Sequence, residues 1–441
     1  MKANALVKTI VPSFSVITEI VGAGPIVVSM SGEMLILVLL IVTALGFDFT
    51  NGFHDTGNAM ATSIATGALK PKTAVSISAI LNLIGAFLSV QVAATITKDV
   101  LKIQQPDGQF VSGLDVNAAL IIIFAGLIGA ILWNLATWLF GLPSSSSHAL
   151  FGGLVGAGLA ALGTAGVNWS GVFAKIILPA LFAPVIAALV ATVGTVLIYG
   201  ITKAISARHQ EQGFKIGQIT TASLVSLAHG TGDAQKTMGV IAMALIATNH
   251  LDADSVQHGL PFWVVFSCAA AIALGTYLGG WRIIRALGKG LIDISPPQGM
   301  AAQSSSAAII LTSSVAGMAL STTHVATGSI IGAGLGRKGS NVRWSVAGRM
   351  VLAWVTTLPA AGLVGALCFW LAHGIGDVAG AITIFAILVV LSAFMYWRAQ
   401  HEKIDANNVN TEWDDEIAET PIDLELGDEP ATSPTAPATQ A

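Results

Sequence analysis

The stretch NGFHDTGNAM at residues 51–60 follows the apolar run LILVLLIVTALGF at residues 35–47, and it decides how the chain folds. With its flanks, the apolar run reaches the roughly 20 residues that a helix needs to cross a bilayer. Asp55 therefore lies at a depth where a charged side chain is costly, which makes it a functional candidate. The two glycines and two asparagines around Asp55 predict a helix that is broken inside the membrane.

A related stretch, HGTGDAQKTM, occurs at residues 229–238, and a shift of 178 residues aligns Asp55 with Asp233. A second pair follows in the same order: SSSHALFGGLVGAGL at residues 145–159 matches STTHVATGSIIGAGL at residues 321–335 with a shift of 176. Two motifs that recur in one order at nearly one offset indicate a tandem duplication.

The composition places the duplicated chain in a lipid bilayer. It has 441 residues, of which 54% are hydrophobic and 10% charged, and its mean hydropathy is +0.76. Soluble domains carry about 25% charged residues. Cys268 and Cys368 lie inside apolar runs, so neither a disulfide framework nor a zinc site is expected. No cofactor and no nucleic-acid partner is predicted, and a homo-oligomer is left open. The candidate apolar segments are residues 33–66, 73–97, 117–140, 143–165, 171–202, 216–247, 260–280, 300–319, 321–336, 345–372 and 377–397.

Basic connections orient the two repeats. They hold Lys70, Lys72, Lys203, Arg208, Lys215, Arg282, Arg285, Lys289, Arg337, Lys338 and Arg343. The loops near residues 107–115, 167–170 and 252–254 are neutral or acidic. Basic loops stay in the cytoplasm, so segment 33–66 runs inward and segment 216–247 runs outward. The repeats are therefore predicted to be inverted, as in secondary transporters whose site lies at the repeat interface.

These observations predict an all-α polytopic membrane protein with two inverted repeats, broken helices and two re-entrant hairpins tipped by serine or threonine. Its location is predicted to be the plasma membrane, with a cytoplasmic C-terminal tail. The predicted segments are residues 1–32 (an N-terminal segment and candidate first span), 33–203 (repeat 1), 204–215 (cytoplasmic linker), 216–373 (repeat 2), 374–398 (a final transmembrane helix) and 399–441 (an acidic tail expected to be disordered).

The hairpin tips are candidate anion sites. The predicted substrate-binding residues there are Ser145, Ser146, Ser147, Ser321, Thr322 and Thr323. A helix that starts at such a tip has unpaired N–H groups and a positive dipole end, which favour an anion. Serine and threonine also cap helices in proteins of every function. The matched pair of tips favours the anion site over capping alone.

The paired aspartates predict a cation beside that anion. Asp55 and Asp233 would repel an anion unless sodium, a proton or a divalent metal entered with it. Asn58 and Gln235 offer neutral donors to the substrate, and Lys236 either pairs with a carboxylate or faces the anion. The glycines of both motifs are interpreted as points where the backbone unwinds and exposes carbonyls to a cation.

The histidines of the motifs predict proton movement more readily than metal binding. His54 and His229 are assigned to cation or proton coupling together with the aspartates. A metal site is left undecided. A serine hydrolase is not favoured, because adjacent Ser147 and His148 side chains diverge on a helix and no G-x-S-x-G elbow is present. The chain is therefore not predicted to be an enzyme.

The four motifs together resemble the inorganic phosphate transporter (Pit) family over residues 35–398, with LGTYLGGWRIIRALG as a further typical segment. The resemblance implies phosphate symport with a cation. The NGFHDT form is similar to the bacterial low-affinity carriers, which implies coupling to protons and acceptance of metal–phosphate complexes. Sodium-coupled members tend to have glutamates near Asn82 and Gln303, which are neutral here. Sodium coupling and sulfate transport remain the alternatives.

Overall fold

A computed structural model describes residues 31–103, 111, 114–202 and 207–411. Across these residues the backbone is helical apart from short connections and two isolated bridges. All but the last two residues of the predicted N-terminal segment 1–32, including its candidate span, lie outside the described residues. Residues 412–441 of the predicted acidic tail also lie outside them.

Thirteen helices are numbered in chain order among the described residues. They are α1 (Gly32–Ala65), α2 (Pro71–Gly85), α3 (Gln91–Asp99), α4 (Val116–Leu139), α5 (Ser146–Leu162), α6 (Trp169–Ile201), α7 (Ala207–Ala247), α8 (Phe262–Leu278), α9 (Trp281–Lys289), α10 (Pro296–Val315), α11 (Thr322–Leu335), α12 (Trp344–Ile375) and α13 (Asp377–Ala399). Six of them are long and apolar enough to cross a membrane, or up to seven if the bent pair α8–α9 is one span. The prediction of an all-α multi-pass membrane protein is confirmed at this level.

The two motif helices, α1 and α7, run through their glycines without interruption. The prediction that they are broken, with backbone carbonyls exposed, is therefore wrong. The glycines instead let neighbouring backbones approach. A Cβ at Gly52 would lie 2.2 Å from the carbonyl oxygen of Ile272 on α8, and one at Gly230 would lie 2.2 Å from that of Asn82 on α2. Close packing of this kind holds a glycine in a helix despite its low intrinsic propensity.

A break in the helical path does occur in the described chain, but between α8 and α9, which are bent by 65°. Gly279 at the bend has φ +73°, a left-handed value that favours glycine. A Cβ at the next residue, Gly280, would lie 1.9 Å from the carbonyl oxygen of Phe53 on α1. The bend therefore brings the start of α9 against the motif helix.

Each repeat packs its hairpin helix against the long helix of the other repeat. The helix pairs α4–α5 and α10–α11 each form a hairpin, and α5 contacts α12 while α11 contacts α6. A Cβ at Gly156 on α5 would lie 1.9 Å from the carbonyl oxygen of Gly362 on α12. On the other side, a Cβ at Gly332 on α11 would lie 2.1 Å from that of Ala188 on α6. The two halves are therefore interlocked by matching glycine contacts.

The outer surfaces of α6, α12 and α13 carry large apolar side chains. Leu189 on α6, Leu363 on α12 and Val390 on α13 each have more than 60% of their surface exposed. In water such exposure would be costly, whereas lipid tails can cover it. The inside is unusually polar for a helical bundle, with buried aspartates, asparagines, serines and threonines near its centre.

The first part of the predicted tail folds back onto the bundle. Val409 is buried, and the amide of Asn410 donates a hydrogen bond of 3.2 Å to the carbonyl of Ile64 near the end of α1. The disordered segment predicted to begin at residue 399 therefore does not begin there. Buried Val409 and the hydrogen bond of Asn410 hold this part of the chain against the bundle.

Candidate functional site

Both hairpin tips donate hydrogen bonds to one carboxylate, that of Asp55 on α1. Ser146, the first residue of α5, donates from Oγ to Oδ1 over 3.1 Å. Thr322, the first residue of α11, donates from Oγ1 to Oδ2 over 3.2 Å. Asp55 is only 2% exposed. One buried carboxylate thus links hydroxyls that belong to different repeats.

The second carboxylate, Asp233 on α7, is paired with an ammonium group. Lys236 lies one turn further along the helix and donates to Asp233 Oδ1, to the hydroxyl of Ser147 and to the carbonyl of Leu320. Both members of the ion pair are nearly inaccessible. A buried charge of either sign needs such a partner. Lys236 therefore ties α7 to both hairpin tips.

His229 lies between the two carboxylates. Its Nε2 is 3.1 Å from Asp233 Oδ2 and 3.9 Å from Asp55 Oδ2. Its Nδ1 is 3.1 Å from Asn82 Oδ1, while the Asn82 amide donates to Thr276. Since the amide end of Asn82 is used as a donor, its oxygen faces the ring and Nδ1 is the protonated nitrogen. His229 Nε2 is left to exchange a proton with the carboxylates.

His54 forms a second contact with Asp55 from the same helix. Its Nδ1 is 2.7 Å from Asp55 Oδ1. Its Nε2 is 3.4 Å from the hydroxyls of both Thr137 and Ser144, which lie 2.7 Å from each other. The ring thus connects the carboxylate to a pair of hydroxyls at the tip of the α4–α5 hairpin.

Asn58 joins the cluster one turn after Asp55. Its amide donates to Thr323 Oγ1 over 3.0 Å and to Thr322 Oγ1 over 3.3 Å. Its carbonyl oxygen is buried and has no hydrogen-bond partner among the described residues. An orphaned buried acceptor of this kind suits a ligand that carries a proton.

Three of the predicted substrate residues use hydrogen bonds to hold helix ends. Ser145 and Ser321 accept from the backbone N–H of His148 and His324, so they cap α5 and α11. Gln235 accepts from the backbone N–H of Val92 at the start of α3 over 2.7 Å. The other predicted residues, namely Ser146, Ser147, Thr322, Thr323, Asn58, Asp55, Asp233, His54, His229 and Lys236, come together in one buried cluster.

A third buried carboxylate, Asp48, was not predicted from the sequence; it lies two turns before Asp55 on α1. It is inaccessible, and Thr237 on α7 donates to its Oδ1 over 2.8 Å. Asp48 lies outside the repeated motif, and its counterpart at the 178-residue shift is Ser226. The signal that could have found it is a lone acidic residue at the end of an apolar run.

The cluster is closed around its own groups. A cavity of about 10 Å³ borders Asp233, Lys236 and Thr322. This is about the space of one water molecule. This cavity is therefore too small for a tetrahedral oxyanion.

The same cluster has ligands for a metal ion. One atom each from Asp55, His229 and Asp233 lie within 4.8 Å of one another, and all three residues are buried. Carboxylate oxygens with one imidazole nitrogen suit divalent cations from manganese to zinc. The arrangement can thus exchange protons, pair with a cation, or do both.

Comparison with known proteins assigns this architecture to a family. A model of the "Phosphate transporter family" matches residues 51–365. The chain is 55% identical over 402 residues to a protein of Mycobacterium tuberculosis described as a probable low-affinity inorganic phosphate transporter, covering 91% of this chain and 92% of the relative. A protein of Bacillus subtilis with the same description is 41% identical over 339 residues, covering 77% of this chain and 97% of the relative. A solved structure described as "the sodium-dependent phosphate transporter" shares the fold with a TM-score of 0.68 at 24% identity, covering 77% of this chain and 100% of that one.

Proposed function

This chain belongs to the phosphate transporter family and is a membrane transporter, not an enzyme, and we propose that it imports inorganic phosphate together with protons. The observation that carries the proposal is the contact of both hairpin tips with the Asp55 carboxylate. The hydroxyls of Ser146 and Thr322 donate to Asp55; if they did not, they would be free to bind an oxyanion. Phosphate and carboxylate therefore compete for the same donors.

Protonation of the carboxylates couples the two species. A charged carboxylate accepts strongly from hydroxyls, whereas a neutral carboxyl accepts more weakly. A proton on Asp55 therefore releases Ser146 and Thr322 to phosphate and removes a negative charge from its path. Phosphate then binds well only when a proton has bound, which is the condition for symport.

The substrate-binding set that we propose is Ser145, Ser146, Ser147, Ser321, Thr322, Thr323, Asn58 and Gln235. Ser146, Ser147, Thr322, Thr323 and Asn58 supply hydroxyl and amide groups from the cluster. Ser145 and Ser321 act by holding the helix N-termini at the tips. Gln235 acts at a distance, by fixing the start of α3.

Lys236 is proposed to move between two anions. In the structure it neutralises Asp233. When Asp233 is protonated, the ammonium group becomes available to phosphate. The histidines of the cluster, His54 and His229, are proposed to pass protons between the carboxylates and nearby hydroxyls. Acceptance of metal–phosphate complexes is supported by the grouping of Asp55, His229 and Asp233.

The transport geometry that we propose is a pair of inverted repeats with two re-entrant hairpins. The swapped contacts of α5 with α12 and of α11 with α6 support a two-fold relation between the halves. The basic connections support a cytoplasmic linker at residues 204–215 and a cytoplasmic tail. Alternating access would then be a rocking of one half against the other around the buried cluster. The proposed location is the plasma membrane.

Two alternatives concern the ion and the anion. The first is sodium coupling: the solved structure of the same fold is described as sodium-dependent, whereas neutral Asn82 and Gln303 argue against sodium in this chain. Sulfate transport is the second alternative. Phosphate carries dissociable protons near neutral pH that it can donate to carboxylates, whereas sulfate carries none and would meet unrelieved repulsion.

The proposal is tested by uptake of radiolabelled phosphate into proteoliposomes under separately imposed proton and sodium gradients. We expect accumulation with the proton gradient and none with sodium alone. Accumulation driven by sodium alone would show that the coupled ion is sodium and not the proton. If excess sulfate suppressed uptake as strongly as unlabelled phosphate does, the phosphate assignment would fail.

A further inference from the structure

Among the residues that the structure describes, Asp48 differs from the other two buried carboxylates in having no cationic partner. It is 0% exposed, and its Oδ1 accepts one hydrogen bond of 2.8 Å from Thr237. Its Oδ2 is buried and has no hydrogen-bond partner within the part of the chain that the structure describes. Asp55, by contrast, contacts His54, and Asp233 contacts Lys236.

The groups that face Asp48 from neighbouring helices leave its charge unbalanced. The thiol of Cys268 on α8 and the hydroxyl of Thr237 on α7 are its neutral neighbours. Earlier on α7, His229 attracts a negative charge at Asp48 and Asp233 repels one. Neither forms an ion pair with Asp48. A fully buried carboxylate without a cation is unfavourable, and a proton bound to Oδ2 would remove that charge.

A second orphaned atom lies on the same helix face. The side-chain oxygen of Asn51 is buried and has no hydrogen-bond partner among the described residues. Residues three apart on a helix are neighbours, so Asn51 lies next to Asp48 on the surface of α1. A proton on Asp48 Oδ2 would supply the donor that the Asn51 oxygen lacks.

We propose that Asp48 is a proton-loading site for the transport cycle, distinct from the cluster that binds phosphate. This proposal rests on the proton-coupled function above. The Asp48 carboxyl gives up its proton, the Asp233 or Asp55 carboxylate gains it, and Asp48 regains one from the aqueous phase outside the cell. Asp48 lies about 10 Å before Asp55 along α1, on the outer side in the proposed topology.

The first experiment separates proton coupling from phosphate binding. Asp48→Asn has the shape of the protonated carboxyl and cannot release a proton. In proteoliposomes we expect phosphate–phosphate exchange without a gradient at the wild-type rate, and complete loss of accumulation driven by a proton gradient. Ser226→Ala is the matched control, because it changes the residue that corresponds to Asp48 in the second repeat. It should leave both activities unchanged.

The second experiment needs no variant and no transport. A hydrophobic carbodiimide reacts with protonated buried carboxyls, and the adduct is located by mass spectrometry. In the wild-type protein we expect an adduct at Asp48, with Asp55 and Asp233 unmodified because they are ion-paired. An adduct that is absent from Asp48 in folded protein at acidic pH would overturn the proposal, as would accumulation retained by Asp48→Asn.

The two proposals fail in different ways. If the wild type moves no phosphate, the proposed function fails, while the carbodiimide result still reports the state of Asp48. If the wild type accumulates phosphate with protons and Asp48→Asn does the same, only the role of Asp48 fails. If a sodium gradient alone drives the wild type and Asp48→Asn loses that response, the site binds sodium and the proton assignment is wrong.

Discussion

Thr322 donates its hydroxyl hydrogen to Asp55 across an interval of 267 residues, from the tip of the second hairpin to the motif helix of the first repeat. The bond spans 3.2 Å and is buried. Any movement that separates the tips must break this bond or the one from Ser146 to Asp55, so the charge on Asp55 bears directly on whether the site opens. This relation is the basis of the first two predictions.

Replacing either cluster aspartate should abolish concentrative uptake. Asp55→Asn and Asp233→Asn keep the side-chain shape but remove the charge that binds the coupled proton. If the carboxylates served only as structural acceptors, asparagine would serve almost as well. We expect membrane expression to persist and gradient-driven accumulation to collapse, measured at matched expression. Near-normal accumulation by both variants would make the aspartates structural.

Removing the tip hydroxyls should weaken phosphate affinity without uncoupling transport. Ser146→Ala and Thr322→Ala each lose about 1 kcal/mol of hydrogen bonding. That corresponds to a KM about five times higher. The measurement is the concentration dependence of proton-driven uptake. Thr312→Ala is the control, because the hydroxyl of Thr312 is exposed and bonds only within its own helix. An unchanged KM in both tip variants would show that these hydroxyls do not bind phosphate.

Removing the buried ammonium should destabilise the fold. Lys236→Met leaves the Asp233 carboxylate buried without its partner, which costs about 3–5 kcal/mol. We expect a lower midpoint of thermal unfolding in detergent. Adding Asp233→Asn to the same chain removes the unpaired charge and should restore the midpoint, with accumulation still absent. If Lys236→Met alone were as stable as the wild type, Lys236 would not be the partner that neutralises Asp233.

The hairpin glycines should tolerate no side chain. Gly156→Ala places a Cβ 1.9 Å from the Gly362 carbonyl oxygen, so α5 and α12 must move apart. Overpacking of this kind costs about 1–3 kcal/mol. Gly194→Ala is the control, because the nearest atom to its Cβ would be 3.9 Å away. We expect a lower midpoint of thermal unfolding for Gly156→Ala than for Gly194→Ala. Equal midpoints would contradict the close contact.

The proposed topology predicts which loops a membrane-impermeant thiol reagent reaches. Single cysteines near Lys70 and Arg208 should react only from the cytoplasmic side, and one near Asp254 only from outside. The native Cys268 and Cys368 are buried and are replaced by alanine in the test background. Reaction of all three positions from one side would contradict the inverted arrangement.

The sequence predicted the residues of the cluster better than the shape of the helices that carry them. The hydroxyl tips and paired aspartates were predicted from the sequence repeat, because equivalent positions of two repeats are expected to meet at their interface. Glycines such as Gly52 were ambiguous, since the same residue permits unwinding or close approach, and only the neighbouring helix decides. The hydrogen bond of Gln235 to α3 could not be predicted, because it joins segments with no shared pattern. Asp48 was missed because it has no acidic counterpart in the second repeat.

The interlocked glycine contacts also constrain how the protein is made. Gly156 packs on Gly362, which the ribosome adds about 200 residues later, at roughly 5–20 residues per second. The first hairpin must therefore wait on the order of ten to forty seconds in the membrane before its partner helix arrives. During that time its small-residue face and polar tip lie against lipid, translocon or another chain. The first hairpin therefore reaches its final packing only after the second half of the chain has been synthesised.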